Sequence, residues 1–534
     1  MDTVSLIIYY YTIATGLILL IQKYAPYAFF LVLGLLLYLE YLLFKSLPNS
    51  AFIESSLYWV LPLMSINILC YALMGEGEEG IPKHYRVHLG IIKGVYTIHN
   101  LRRGVSIIGS AGSGKTESVV YGFLKHLKQH QFCGVIHDYK HFEITEMAHP
   151  LFTDTDVPLH IISFDDIHKK VNPIAPKYLP DEESVNEISR VLLENLLEQR
   201  ESIAHGSSKF FNDAVEGLLG GLIWKLKTAY PDQCTLPHLM ATYQYLDKDS
   251  LIGFLASDFT SKAMADAFIS GRDSERQTAG VMSTLANALK KISTQRIFLA
   301  LSADEVPLDL NNPKHPSVVC IVNNPKYETA YSPVIATIIH TITKQMSVRN
   351  QRPAFLLMEE APTLRLLNMH RIPATLRSYD IATLYILQDK IQNDMMYGDK
   401  ASRAILRNLS YQFFGKANDP ETAKYYERFF QIVKRPTRSV SQSSNWNRDT
   451  RVTKGEKEVS KIRSDVFFRL RRGEFIAFGD GRDKKIQFRK PKIKRDLPPP
   501  KHTADDPAIL ANFKRIHLEV RQMFHTMDNK PKHQ

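Results

Sequence analysis

A glycine-rich turn with one lysine is the clearest chemical signal in the sequence: residues 109–118 read GSAGSGKTES and fit G-x-x-x-x-G-K-[ST]. The apolar run at 104–109 predicts a strand and the spacing of 117–130 predicts a helix, which is the context that a phosphate-binding turn requires. Lys115 would reach the β- and γ-phosphates of ATP, and Thr116 would place its hydroxyl on Mg²⁺. The residues expected to contact the nucleotide are continuous: Gly109, Ser110, Ala111, Gly112, Ser113, Gly114, Lys115, Thr116 and Glu117.

Two adjacent acids, Glu359 and Glu360, end the apolar run AFLLMEE at 354–360. Phosphoryl transfer needs a metal anchor and a group that orients the attacking water. Glu359 would hold Mg²⁺ through a water molecule, and Glu360 would polarise the attacking water. The two acids alone also fit a solvated strand end or a helix cap, but the phosphate turn on the same chain favours the catalytic interpretation.

Two further polar residues flank the apolar run TLYILQD at 383–389. Gln388 at its end would contact the γ-phosphate, or would be an ordinary turn amide. Arg377 before it could reach the γ-phosphate of a neighbouring subunit and neutralise charge in the transition state, or could be a surface arginine. With Lys115 and Glu360, these two residues complete the predicted catalytic set.

The segment HDYKHFE at 137–143 contains two more candidates, Asp138 and Lys140. They follow a strand-like run, and ligands bind at the carboxyl ends of the strands in open α/β sheets. The two side chains would therefore face the nucleotide crevice. A local ion pair is an equally good interpretation.

Strand-like runs alternate with helical segments after residue 80 and predict an α/β fold with a mainly parallel sheet covered on both faces. Between 180 and 305 the pattern becomes helical throughout. We therefore expect a P-loop ATPase domain formed by 81–179 and 306–495, with an all-α domain at 180–305 inserted into it. Besides the strand before the phosphate turn, the strand-like runs are 133–138, 158–164, 317–324, 354–360, 382–389 and 474–480.

The first 80 residues differ in composition, with three uncharged apolar segments at 4–22, 24–39 and 55–75. The first segment is long enough to cross a bilayer. We expect residues 1–80 to form a transmembrane anchor of two to three helices, and a buried core hairpin is the alternative. Because ATP is cytosolic, the chain after residue 80 is expected in the cytoplasm.

Positive charge is concentrated near the C-terminus. The net charge is +12, and residues 431–500 contain 20 lysines and arginines against 8 acids. A basic surface with aromatic side chains suits phosphate neutralisation and base stacking on single-stranded DNA, whereas an anionic membrane face is the alternative partner. The aromatic residues interleaved with this charge are Trp446, Phe467, Phe468, Phe475 and Phe488.

Residues 496–534 are expected to form a linker, marked by LPPP at 497–500, and a C-terminal amphipathic helix. The apolar face of this helix needs a covering surface, which is either the chain's own domain or a separate partner. The residues that form this face at helical spacing are Ile509, Phe513, Ile516, Val520 and Phe524.

Three other classes of protein are disfavoured. The four cysteines are scattered without a C-x-x-C pair, so neither a disulfide framework nor a zinc site is indicated. The Leu-Ser-Gly-Gly-Gln signature of ABC transporters is missing from the sequence. The apolar N-terminal segments argue against a soluble nucleotide kinase.

The order of these motifs resembles that of the type IV secretion coupling proteins, the TraG/TraD class of membrane-anchored conjugation ATPases. DYKHFE stands where that family has Asp-Pro-Lys-Gly-Glu, and Asn172-Pro173 matches its Asn-Pro. RSYDIATLYILQDKIQNDMMYG resembles its Arg-x-x-Gly-Ile…Gln-Ser…Gln-Leu…Tyr-Gly segment, with Arg377 and Gln388 on the family's positions. The chain departs from the family at Glu359, where Asp is usual.

The resemblance implies a RecA-like motor in a homo-oligomeric ring, a hexamer, on the cytoplasmic side of the bacterial inner membrane. A multi-pass anchor in lipid would hold the ring beside the inner-membrane components of a type IV secretion system. The ring would receive single-stranded DNA bound to a relaxase, with other relaxosome proteins, and drive its transfer in conjugation or mobilisation. The alternative is an ATP-dependent adaptor that recruits protein substrates without pumping DNA.

Overall fold

The computed structural model describes residues 81–197, 207–442 and 450–528, with a few single positions before residue 81. The chain divides into two compact units, Met1–Pro82 and Lys83–Gln534, and the fold below is that of the second. The three predicted membrane segments lie outside the described residues, apart from those single positions. Within the described ranges, no helix combines the length and the apolar character needed to cross a membrane.

In the described part of the chain, thirteen strands form three sheets. They are β1 (Val87–Ile91), β2 (Gly94–Ile98), β3 (Val105–Ile108), β4 (Cys133–Asp138), β5 (Leu159–Ile162), β6 (Val318–Val322), β7 (Ala354–Met358), β8 (Ile381–Leu387), β9 (Tyr411–Phe414), β10 (Ile432–Gln442), β11 (Thr450–Ser460), β12 (Glu474–Gly479) and β13 (Arg482–Gln487). The main sheet has 9 strands in the order β13-β12-β9-β3-β8-β7-β4-β6-β5. In this order, all neighbouring strands between β9 and β5 pair in parallel. Strand β12 pairs antiparallel with β9, and β13 pairs antiparallel with β12.

The helices follow the alternation that the sequence predicts. They are α1 (Tyr121–Gln129), α2 (Thr145–Phe152), α3 (Glu182–Leu196), α4 (Ser207–Ala229), α5 (Leu236–Tyr245), α6 (Lys248–Ala256), α7 (Phe259–Met264), α8 (Asp266–Ser270), α9 (Glu275–Lys290), α10 (Gln295–Ala300), α11 (Glu328–Met346), α12 (Ile372–Arg377), α13 (Lys390–Tyr397), α14 (Asp399–Arg407), α15 (Pro420–Glu427), α16 (Ser464–Phe468) and α17 (Pro507–Asp528). A π-helical segment, Lys115–Val120, leads into α1.

The central strands are buried along their whole length and are mostly apolar, because helices cover both faces of the sheet. Every residue of β3, β4, β7 and β8 is buried. Parallel strands need crossover connections, which place helices on the two faces and so shield both faces from water. The predicted mainly parallel, doubly covered sheet is confirmed.

The strand order determines which motifs meet. Strand β8 lies between β3 and β7, and β4 lies on the other side of β7. The carboxyl ends of these parallel strands share one edge of the sheet. The phosphate turn after β3, Gln388 after β8, the acids after β7 and Lys140 after β4 therefore converge at that edge.

The inserted helices α3 to α10 lie between β5 and β6, and the C-terminal helix α17 packs on two of them, α5 and α10. The ring of Phe513 in α17 is 4.7 Å from that of Phe298, centroid to centroid. Glu519 also pairs with His238 of α5, with Oε2 and Nε2 2.9 Å apart. The amphipathic helix predicted at the C-terminus is thus covered by the chain's own helices.

Strands β10 and β11 form a two-stranded antiparallel ribbon of their own, outside the main sheet. The register places Lys434 opposite Glu458 and Arg435 opposite Lys457. Lys434 and Arg435 are exposed, and so is Ile432. Sequence reasoning identified this region as basic and did not predict that part of it forms a ribbon.

Candidate active site at the sheet edge

The phosphate turn leaves no room for a larger residue at two of its glycines. Gly114 has φ 89°, in the left-handed region. A Cβ added there would lie 3.1 Å from the backbone nitrogen of Gly473, and one added at Gly109 would lie 2.9 Å from Oγ of Ser113. The turn therefore depends on glycine both for its backbone conformation and for the close approach of neighbouring chain.

Lys115 is buried at the start of the π-helical segment, with 5% exposure. Its Nζ donates to the carbonyl of Gly109 at 2.5 Å and lies 4.0 Å from Oε1 of Glu360. Burial lowers the pKa of Lys115, and the nearby charge of Glu360 opposes that change. The ammonium thus lies between the turn and the acidic pair, where the sequence predicts the terminal phosphates.

The acidic pair is almost fully buried. Glu359 and Glu360 are 1% and 2% exposed, so they are not a solvated strand end. The side chain of Glu360 does not cap the short helix that follows it. Glu360 has φ 45°, a left-handed conformation that costs energy for a residue with a side chain and is often found at functional sites.

Each acid contacts a different predicted partner. Thr116 Oγ1 donates to Oε1 of Glu359 at 3.5 Å, and Gln388 Nε2 donates to Oε1 of Glu360 at 3.0 Å. Burial raises the pKa of Glu359, the charge of Asp138 adds to this effect, and Lys140 opposes it. The phosphate turn, the acidic pair and Gln388 therefore form one continuous cluster.

Asp138 and Lys140 have different environments. Lys140 Nζ lies 3.2 Å from Oε1 of Glu359 and 3.3 Å from Oε1 of Glu360. Burial lowers the pKa of Lys140, but the surrounding carboxylates outweigh burial and raise it above its ordinary value. Asp138 instead accepts hydrogen bonds from the backbone nitrogen and the hydroxyl of Thr145, both at 2.7 Å, and so stabilises the start of α2.

Arg377 does not join this cluster within one chain. It is exposed at the end of α12, four residues before β8 begins. Gln388 and the cluster lie at the other end of β8, about 20 Å away along a strand of this length. A role for Arg377 at the nucleotide site of a neighbouring copy stays a prediction.

Two arginines at the site were missed by sequence reasoning. Arg472 and Arg495 both contact the carboxylate of Glu117, at 2.6 and 3.5 Å. The backbone nitrogen of Gly473 donates to the carbonyl of Ser113 at 2.9 Å. The arginines belong to the basic stretch at 431–500, and only the fold shows that this stretch passes beside the phosphate turn.

The donor atoms of the site suit ATP and a hard divalent cation. Several buried oxygens have no hydrogen-bond partner among the described residues, namely Ser110 Oγ, Ser113 Oγ, Glu359 Oε2 and Glu360 Oε2. Buried polar atoms are normally paired, so these four indicate a ligand with its own donors, acceptors or charge. Hydroxyl and carboxylate oxygens are the ligands that Mg²⁺ prefers.

A parallel sheet with a lysine-bearing phosphate turn after one strand and buried acids after a nearby strand defines a P-loop protein with a RecA-like fold. The family described as type IV secretion-system coupling protein DNA-binding domain matches residues 182–476. The chain belongs to the family of type IV secretion coupling proteins, and the resemblance predicted from its motifs is confirmed.

Solved structures of the coupling protein TrwB share this fold. The unbound bacterial conjugative coupling protein TrwBdeltaN70 is 13% identical with a TM-score of 0.60, covering 77% of this chain and 91% of that one. TrwB with ADP and Mg²⁺ and TrwB with the ATP analogue ADPNP are each 14% identical with TM-scores of 0.58, covering 75% of this chain and 88% of theirs. No curated protein is significantly similar in sequence.

Proposed function

We propose that the chain is an ATPase that binds ATP with Mg²⁺ and couples hydrolysis to the transfer of single-stranded DNA. The observation that carries this proposal is the cluster in which Lys115, Thr116, Glu359, Glu360 and Gln388 meet through the contacts described above. The TrwB structures with ADP and Mg²⁺ and with ADPNP support the same ligands for a chain of this fold.

The proposed chemistry assigns one task to each side chain. The backbone of the turn and the Lys115 ammonium bind the phosphates and neutralise their charge. Thr116 and Glu359 would hold Mg²⁺, which when bound neutralises charge on the phosphate oxygens. Glu360 orients the attacking water through its carboxylate, and the hydrogen bond from Gln388 holds that carboxylate in place.

The DNA-binding part of the proposal rests on charge and on family membership. The basic stretch at 431–500 includes exposed Lys434 and Arg435 on the ribbon. Lysine and arginine side chains bind a phosphate backbone without regard to base sequence, as a translocating protein requires. The family description, a DNA-binding domain, supports the same partner.

The remaining parts of the proposal concern assembly and location. We infer a homo-oligomeric ring, a hexamer, from the resemblance to the coupling-protein family. Arg377 is exposed and would reach a nucleotide only in a neighbouring copy. The apolar segments within 1–80 would anchor the ring in the inner membrane, with the ATPase part in the cytoplasm. Relaxosome proteins, including the relaxase, and inner-membrane components of the secretion system would be its partners. The proposal also includes the all-α domain at 180–305 and the role of Arg377 at the nucleotide site of a neighbouring subunit.

An adaptor that recruits protein substrates is the alternative function. Such an adaptor would need ATP only to change the shape of its surface, and it would have less use for a basic stretch. Binding to lipid-free single-stranded DNA distinguishes the two functions, because phosphate contacts make the affinity fall steeply with salt. An adaptor would bind such DNA weakly at any salt concentration.

Two substitutions test the nucleotide site directly. Lys115→Ala is expected to abolish ATP hydrolysis and DNA transfer, since it removes the ammonium that binds the terminal phosphates. Glu360→Gln is expected to bind ATP normally and to hydrolyse it slowly, because an amide orients the attacking water less well than a carboxylate. Normal hydrolysis by the Lys115→Ala protein would show that the phosphate-turn assignment is wrong.

A further inference from the structure

Lys140 is the nearer of the two site lysines to the acidic pair. Its Nζ is within 3.3 Å of a carboxylate oxygen of both Glu359 and Glu360. The ammonium of Lys115 lies 4.0 Å from Glu360 and donates to the carbonyl of Gly109. Lys140 is therefore the nearer positive charge to two carboxylates that are shielded from water.

Tertiary contacts fix the loop that carries Lys140. His141 and Phe142, which follow it, have φ of 47° and 71°, a left-handed conformation that residues with side chains rarely adopt. Phe142 is buried against Ile161 and Val322, and this burial offsets the backbone strain. The fold thus holds the Lys140 backbone at the acidic pair.

Lys140 contacts the same carboxylate oxygen through which Glu359 and Thr116, the residues proposed to hold Mg²⁺, meet. Oε1 of Glu359 accepts from Thr116 at 3.5 Å, and the same oxygen contacts Lys140 at 3.2 Å. A lysine ammonium in contact with a carboxylate oxygen and a metal ion held by the same oxygen through a water molecule repel each other. Glu143 offers a more exposed partner, with its Oε2 3.7 Å from the Lys140 ammonium.

We propose that Lys140 is an internal counter-ion that competes with Mg²⁺ for Glu359, and that it turns toward Glu143 when metal and ATP bind together. Lys140 is then a positioning residue, which makes the metal site depend on the nucleotide. A metal ion alone must displace the lysine without help from phosphate charge, so it binds weakly. This inference rests on the proposed function, because Mg²⁺ and ATP define the site.

The test measures Mn²⁺ binding to the full-length, nucleotide-free chain by electron paramagnetic resonance. Removing the competing charge in Lys140→Met is expected to tighten Mn²⁺ binding by at least about tenfold. Lys140→Arg keeps the charge and should bind Mn²⁺ as the unsubstituted chain does. Adding Glu359→Gln to Lys140→Met should abolish the gain, because it removes the shared ligand.

A matched control excludes a general effect of removing one positive charge from the chain. Lys262→Met removes the same charge from an exposed position on α7 and should leave Mn²⁺ binding unchanged. If Lys140→Met does not fold by circular dichroism, Lys140→Gln, which keeps a hydrogen-bond donor, takes its place. Unchanged Mn²⁺ affinity in folded Lys140→Met or Lys140→Gln, while the unsubstituted chain binds ATP, would overturn this inference alone. Failure of the unsubstituted chain to bind ATP would overturn the proposed function as well.

Discussion

Gln388 gives the sharpest prediction about catalysis, because it contacts the proposed water-orienting carboxylate and can be removed without touching the phosphate turn. Its Nε2 donates to Oε1 of Glu360 at 3.0 Å. In nucleotide-free Gln388→Ala this carboxylate is expected to keep its contact with Lys140, which is 3.3 Å in the unsubstituted chain, and to stay buried. Glu360 therefore remains in the site but loses the bond that fixes its orientation.

The size of the effect follows from that one bond. A hydrogen bond to a charged group contributes about 1.5–3 kcal/mol. If the bond to Glu360 is needed in the transition state, its loss lowers kcat by about 10- to 150-fold, since each 1.36 kcal/mol is a factor of ten. ATP affinity should change little, because the groups proposed to hold the phosphates are intact.

The assay pairs steady-state ATP hydrolysis with equilibrium binding of a fluorescent ATP analogue. Gln392→Ala is the matched control, since Gln392 is exposed and lines the same cavity of about 460 Å³ as Gln388. It should hydrolyse ATP at the unsubstituted rate. A Gln388→Ala protein with normal kcat would refute the orienting role, whether or not its ATP binding is weakened.

Three further predictions test the helix, the ribbon and the subunit border. Ile516→Ala in α17, a fully buried residue, should lower the free energy of unfolding in urea by about 2–5 kcal/mol, and an equal loss in exposed Leu518→Ala would contradict the docking of this helix. Lys434→Ala with Arg435→Ala should reduce the slope of log affinity for single-stranded DNA against log salt by about 1.4, whereas an unchanged slope would show that the ribbon is not part of the DNA surface. Arg377→Ala should lower ATP hydrolysis only at protein concentrations where the chain is oligomeric, and an equal loss for the monomer would refute a role in a neighbouring subunit.

The sequence was most informative where a strand is buried on both sides. The runs that became β7 and β8 are mostly apolar and are followed by polar residues, so the strands and the positions of Glu359, Glu360 and Gln388 were predictable. Their proximity was not, because it depends on β8 lying between β3 and β7. Strand order arises from long-range pairing, which no local pattern encodes.

An edge strand of the main sheet and a strand of the ribbon were not predicted, for a different reason. Strand β13 has the sequence RDKKIQ, in which Ile486 alone is buried, so it lacks the alternation of a half-buried strand. Strand β10 contains Pro436, and a proline within a strand-like run argues against a strand in the interior of a sheet because it lacks a backbone N–H. Pairing with neighbouring strands, and not burial, makes these segments extended.

Two interpretations left open by the sequence depended on tertiary contacts. Lys140 could face the crevice or form a local ion pair, and the structure has both, because its ammonium contacts the acids of the crevice and also Glu143 three residues away. The helix with Ile516 needed a covering surface, and the helical period could not identify it as the chain's own α5 and α10. In each case the side chain's chemistry was predictable and its partner was not.

The most direct test of the proposed DNA motor is the rate of ATP hydrolysis by the full-length chain with and without single-stranded DNA. A motor is expected to hydrolyse ATP faster when DNA is present, and Lys115→Ala should abolish both the basal and the stimulated rates. Hydrolysis that is indifferent to DNA at low salt would contradict the motor and favour the adaptor.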